Sequence, residues 1–293
     1  MIIIKEMVIP FLFVVYLLLF LYNIYGDRMN KIHKIIYSVL LILLVIFAIY
    51  IVKDSISEKT YLKEYNYFNE IIIISLDTNK EVNSIFKYID LLYKKYDQLL
   101  DKKQEYKNIK NLYYLKNNNS NKKYIKINKQ LLDIIKYSKE KKYNQDVVIK
   151  GDSILNNHAD IDLNGIKEEY INQIIKKYLI KQKITKYTIN MNNIITIGSN
   201  LEKIGLPDPD NELNILDFIK TKNSCVASIK SNNKVFKSIT VVSLDSCQSI
   251  AIELIHKQLE DGQKLVENND NVEALWYMNN NKFVESSNFK KFR

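Results

Sequence analysis

Cysteine, proline, glycine, histidine and tryptophan are all scarce: 2, 3, 6, 3 and 1 of them in 293 residues. So few small or rigid residues leave a fold that rests on packed aliphatic and tyrosine side chains. Cys225 and Cys247 are too few and too far apart for a zinc framework. Two thiols can pair or stay buried and free, and free thiols are the expectation carried forward. His33, His158 and His256 stand at no metal-ligand or triad spacing, so each reads as a surface or satisfied side chain. The net charge is +10, which raises the question of nucleic acid. A nucleic-acid face clusters cations with aromatics, whereas lysine is spread here along nearly every segment. It is also accompanied by abundant Asn, Ile and Tyr, the residues that A+T-rich codons encode. No nucleic-acid partner is read from it.

Charge is absent from two apolar runs, 7–26 and 35–52. Each reaches the roughly 18–20 residues a helix needs to cross a hydrocarbon core of about 30 Å. The connection between them carries Arg28, Lys31 and Lys34 against Asp27, while Lys5 is offset by Glu6 and Lys53 by Asp54. Basic residues stay inside, so both ends are expected outside. A start at Met29 would leave one span of signal-anchor type and the same address for the remainder. The opposite topology, with the domain inside, rests on the same few charges. No small-residue cleavage site follows Val52, so the anchor is read as uncleaved. The expected organisation is an anchor over 1–53 and one extracytoplasmic domain over 54–293, long enough for a single core.

Along that domain strands and helices alternate. Asn69 to Leu76 holds Ile71, Ile72, Ile73 and Ile74, a β-branched run suited to a buried strand. Thr78 and Glu81 have the spacing of a capping box, and Val82, Ile85, Phe86, Ile89, Leu92, Tyr93, Tyr96, Leu99 and Leu100 predict one helical stripe. Asn117 to Lys123 reads as a loop, Ile125 and Ile127 as a strand, and Asn128 as the N-cap of a helix through Leu131, Leu132, Ile134 and Ile135. Ile161 to Gly165 leads into a helix bearing Ile166, Tyr170, Ile171, Ile174, Ile175, Tyr178 and Leu179. Tyr187 to Ile189 then forms a strand, turned by Met191-Asn192-Asn193 onto Ile194 to Ile197. A strand Ser238 to Ser243 precedes one helix through Ala251, Leu254, Ile255, Leu259 and Leu265. A closing hairpin joins Val272–Met278 to Lys282–Glu285. Hairpins mixed with strand–helix pairs argue α+β.

Five fragments in order carry a resemblance: Asp162-Leu163-Asn164-Gly165-Ile166, Tyr187 to Ile194, Ile204-Gly205-Leu206-Pro207-Asp208-Pro209, Ser238-Ile239-Thr240-Val241-Val242, and Val272-Glu273-Ala274-Leu275. The chain resembles the FAD:protein FMN transferases, the ApbE-type flavin transferases, from about Phe68 to Phe292. The stretch between Lys139 and Asp160 is shorter than theirs. The resemblance implies a single mixed α+β domain outside the cytoplasm, preceded here by one or two transmembrane helices. It also implies FAD and Mg²⁺ as ligands, and transfer of FMN to a threonine of a partner electron-transfer protein with release of AMP.

The same comparison shows losses. Family ligands for Mg²⁺ include an Asp and a Thr one helical turn apart. Counting without a gap from the Ser238 strand, these positions fall on Ile250 and Leu254, and neither side chain offers oxygen. A one-residue slip offers Ser249 and Glu253, but rotates the helix by about 100° and turns Ile250 and Leu254 off the core. The family's Gly-Gly reads Asn192-Asn193 and its Lys-Gly reads Glu168-Glu169. A His and an Asp-Pro element give way to Lys234-Val235-Phe236-Lys237. No catalytic and no metal residue is therefore assigned. Contacts to FAD or FMN are expected at Asp162, Asn164, Gly165, Tyr170, Asn190, Asn192 and Asn193, each of which has a plain structural role as cap, core or turn. The reading is a silent relative that docks near a flavin-carrying redox protein. The alternative is an active transferase with Glu253, Asp245 or Glu168 as substitute ligands.

Overall fold

The structure, a computed structural model, describes residues 58–118, 124–155, 161–211, 213–232 and 234–293, with isolated positions before residue 58. The expected spans 7–26 and 35–52 lie outside the described residues but for isolated positions, as do His33, His158 and most of the Asn-rich loop. Among the described residues no helix is long and apolar enough to cross a membrane. Thr60–Asp77 and Glu81–Arg293 form one compact unit, and apart from Lys59 and Thr78–Lys80 the features below belong to it.

In chain order the elements are β1 (Lys59–Tyr67), β2 (Glu70–Thr78), α1 (Asn83–Leu100), α2 (Leu112–Asn117), β3 (Ile125–Lys126), α3 (Lys129–Glu140), β4 (Val148–Lys150) and β5 (Ser153–Leu155). There follow α4 (Lys167–Lys181), β6 (Lys186–Met191), β7 (Ile194–Ile197), β8 (Glu202–Pro207), β9 (Ile215–Thr221), β10 (Ser224–Lys230) and β11 (Phe236–Ser243). Last come α5 (Cys247–Ile255), α6 (Leu259–Glu267), β12 (Val272–Met278), β13 (Phe283–Glu285) and a 3₁₀ turn at Phe289–Phe292. An eight-stranded sheet runs β1-β2-β6-β7-β10-β11-β12-β13, beside a three-stranded sheet β3-β5-β4 and a ribbon β8-β9. Ladders from β2 through β13 are antiparallel.

Alternation along the strands divides the large sheet into two faces. Ile72, Ile74, Ile189, Met191, Val241, Ala274 and Trp276 point toward α1, α4 and α5 and join Ile89, Tyr93, Ile171, Ile175, Ala251 and Leu254 in the main core. Ile197, Val226, Val242 and Leu275 point the other way, onto Leu206 and Ile219 of the ribbon and Phe289. A third cluster joins Leu115, Leu131, Ile134, Ile135 and Ile154 under α2, α3 and the small sheet.

Most predicted elements are present, and Asn128 does cap α3, accepting Gln130 N–H at 3.1 Å. Five expectations are corrected. Cys225 and Cys247 form a disulfide with Cα atoms 5.7 Å apart: β10 passes beneath the first residue of α5, a proximity that sequence spacing does not reveal. Thr78 and Glu81 form no capping box. Each accepts the N–H two residues on, from Lys80 and Asn83, because Thr78 still belongs to β2 and the helix begins only at Asn83. The run through Ala251 and Leu265 is two helices. Gln258 is extended, with φ −67° and ψ 152°, and the apolar spacing passes through that break without a change of period. Finally, Ile71 is exposed while Ile72 and Ile74 are sealed, so the isoleucine run is not buried throughout. Asn117 ends helix α2 rather than starting a loop.

Candidate functional site

Three elements meet where the sequence pattern placed the chemistry. The turn Ile161–Ile166 leads into α4, the first turn of α5 packs over it, and α3 closes the side. Asp162 accepts Asn164 N–H at 3.0 Å, and the backbone of Asp162 is tied to the Asn144 amide in both directions, at 3.0 and 2.7 Å. Gly165 has φ +76°, and a Cβ on it would lie 2.2 Å from Ile252 Cδ1. Both facts require glycine there: no side chain enters that conformation cheaply, and α5 already fills the space. Tyr170 is half-buried, its ring 5.2 Å from Tyr137 and 6.1 Å from Tyr96, and it packs between two cores.

The first turn of α5 is fully engaged by this chain's own groups. Cys247 N–H points at Cys225 Sγ, 3.0 Å away. Gln248 N–H and Ser249 N–H both donate to Glu169 Oε2, at 2.9 and 3.0 Å. Ser249 Oγ donates to Glu169 at 3.1 and 3.2 Å, and the Tyr137 hydroxyl donates to Oε1. Glu169 is only 1% exposed. A buried carboxylate thus sits on the positive end of a helix with a tyrosine and a serine hydroxyl against it. Burial, then the Glu169 charge, pushes the Tyr137 phenol well above its ordinary range. Glu168, 2% exposed, pairs with Lys167 at 3.1 Å, and Lys167 reaches Glu70 at 3.1 Å. Burial raises the Glu168 carboxyl although Lys167 opposes it. Burial alone would lower Lys167, but the Glu168 and Glu70 carboxylates outweigh it and raise it.

Beside α5 opens a polar cleft of about 390 Å³, lined among others by Lys141, Ser246, Ser249, Ile250 and Glu253. Its cations are engaged: Lys141 donates to Ser246 Oγ at 2.6 Å, and Lys142 lies 3.7 Å from Glu253. Asp245 is held by Lys176 at 2.8 Å. Asn190, Asn192 and Asn193 lie elsewhere. They line a separate cleft of about 270 Å³ with Ile204, Gly205, Pro207 and Ser228, where Asn192 turns the β6–β7 hairpin at φ 54°. On β6, Ile189 and Met191 belong to the helix-side core, so the alternating Asn190 faces the ribbon side. The seven expected contacts therefore fall into two groups, one on each side of the sheet. Sequence reasoning counted Glu169 only as a lost glycine. No local sequence signal marks its role, because six strands separate Glu169 from the helix start that it meets.

No protein-family model and no curated protein sequence matches the chain. Solved structures do. The flavin transferase ApbE from Vibrio cholerae superposes with a TM-score of 0.68 at 14% identity, covering 80% of this chain and 100% of that one. The ApbE protein from Thermotoga maritima gives 0.67 at 13%, covering 80% and 99%. The apo flavinyl transferase ApbE of Pseudomonas stutzeri gives 0.66 at 9%, covering 80% and 98%.

This chain has the ApbE fold.

With the ApbE fold in place, the two positions that ungapped counting assigns to metal ligands can be located. Ile250 forms part of the cleft wall. Leu254 is 0% exposed, with Gly262 packed against it and Trp276 beyond. The slipped pair fares no better. Ser249 Oγ is committed to Glu169, and Glu253 faces Lys142 and, at 3.6 Å, Lys257. Mg²⁺ demands near-octahedral oxygen ligands, and among the described residues no group of three or more His, Cys, Asp or Glu side chains could hold a metal ion. Neither the counted pair nor the slipped pair thus presents two side-chain oxygens without a partner in this chain.

Proposed function

We propose that this chain is a divergent ApbE-type protein, anchored in the membrane with its domain outside the cytoplasm, in which the Mg²⁺ and FAD site is degraded. It acts as a binding or scaffold module near flavin-carrying redox proteins. The observation that carries the reading is Leu254: its side chain is core, not cleft, so the helix cannot be turned to offer a ligand there without opening the core. Apolar runs 7–26 and 35–52 support the anchor. The Cys225–Cys247 disulfide supports the address, because disulfides persist in oxidising compartments. The candidate contacts to FAD or FMN are Asp162, Asn164, Gly165 and Tyr170 on one side of the sheet, or Asn190, Asn192 and Asn193 on the other.

Incubating the purified full chain in detergent with FAD, Mg²⁺ and a threonine-bearing acceptor protein tests this. No flavin fluorescence is expected on the denatured acceptor. Covalent flavin there would overturn the silent-relative reading and return attention to Glu253, Asp245 and Glu168 as substitute ligands.

A further inference from the structure

A helix start with two free N–H groups and an adjoining hydroxyl is an anion cradle. Here the anion is part of the chain. Glu169 lies in the first turn of α4, not α5, yet both oxygens are spent on α5 and its neighbours: two backbone N–H groups, Ser249 Oγ and the Tyr137 hydroxyl. Those four donors are neutral, and two of them are backbone groups of the helix start. The polar cleft shares Ser249 with this cradle, and Lys141 stands at its edge on Ser246. We infer that Glu169 is a built-in plug. It fills a phosphate-type anion site at the start of α5 and shuts out exchangeable anions, and shortening it to glycine reopens that site toward the cleft.

The inference deepens the degraded-site reading and rests on it only for the choice of pyrophosphate as probe. The full chain in detergent is melted with Trp276 emission as the signal, without divalent cation, in sodium pyrophosphate or in NaCl of equal ionic strength. For the wild type, pyrophosphate and NaCl should give the same melting temperature. Glu169→Gly should melt about 5–10 °C lower, and pyrophosphate at about 100 times its dissociation constant should raise it by about 5–10 °C where NaCl does not. Glu169→Gln should also melt lower, because its amide N–H₂ meets donors, and should gain nothing from pyrophosphate because the volume stays filled.

The inference is overturned if folded Glu169→Gly is indifferent to pyrophosphate, if NaCl restores it equally, or if the wild type shifts as far as the variant. Should Glu169→Gly not fold, Glu169→Gln melting with the wild type would overturn it alone. Flavin transfer by the wild type would sink the silent-relative reading and leave these melting curves to decide Glu169 by themselves.

Discussion

Replacing Gly165 with alanine meets two obstacles of separate origin. At φ +76° an L side chain costs about 1–2 kcal/mol. The new Cβ would also lie 2.2 Å from Ile252 Cδ1. That atom is the flexible end of its side chain, so it yields by moving into poorer packing, at about 1–3 kcal/mol. Together the loss is about 2–5 kcal/mol, or roughly 5–15 °C in melting temperature for a domain of this size. Urea denaturation of the full chain in detergent measures it through the single tryptophan, Trp276, which is buried beside Leu254 and Gly262. A cycle separates the terms. In an Ile252→Ala background the clash is gone, and Gly165→Ala should then cost only about 1–2 kcal/mol. A loss below about 0.5 kcal/mol in the parent chain, or no coupling with Ile252, would refute packing by α5 as the reason for glycine at 165.

Leu254→Thr should cost about 2–4 kcal/mol, since it removes apolar volume and buries a hydroxyl, whereas Ile250→Thr, on the half-buried cleft wall at the edge of the core, should cost about 1 kcal/mol. Equal tolerance of both in urea titrations would place Leu254 outside the core. Opening the Cys225–Cys247 bond by reduction or by Cys225→Ala should lower stability by about 3 kcal/mol, given a sequence separation of 22; an unchanged urea midpoint after reduction would show that the bond contributes nothing. Burial, the largest cause, pushes Tyr143 and Tyr187 up to about 12. Above pH about 10 the unfolded chain releases these phenolic protons while the native state keeps them, so their stabilising effect is full below about 10 and is lost as pH rises to 12. The paired Tyr143→Phe and Tyr187→Phe variant should lose stability less steeply over that interval, and an identical slope in urea titrations across it would contradict the burial.

Element types were legible because their causes are local. Branched residues over Ile72 and Ile74, the three- and four-residue stripe of α1, and asparagines at turns all act through φ/ψ and the nearest neighbours. Even Glu168 and Glu169 were visible as a departure, though only as residues lost from a pattern. Their role was not visible, because Gln248 and Ser249 stand about 80 positions along the chain from Glu169. The divided apolar run after Ser246 was hidden for a different reason: α5 and α6 keep one spacing across Gln258, so periodicity carries no mark of the bend.

The residues alone determined an α+β chain with a glycine at 165, asparagine-turned hairpins and two long uncharged runs, because composition and short-range spacing set those. Only tertiary packing decided that Cys225 meets Cys247, that Leu254 is sealed beneath Gly262, that Asp162 and Asn190 face opposite sides of one sheet, and that a carboxylate from one helix occupies the start of another. Each of those depends on how separate elements pack, and the meeting of Glu169 with Gln248 and Ser249 joins segments about 80 positions apart.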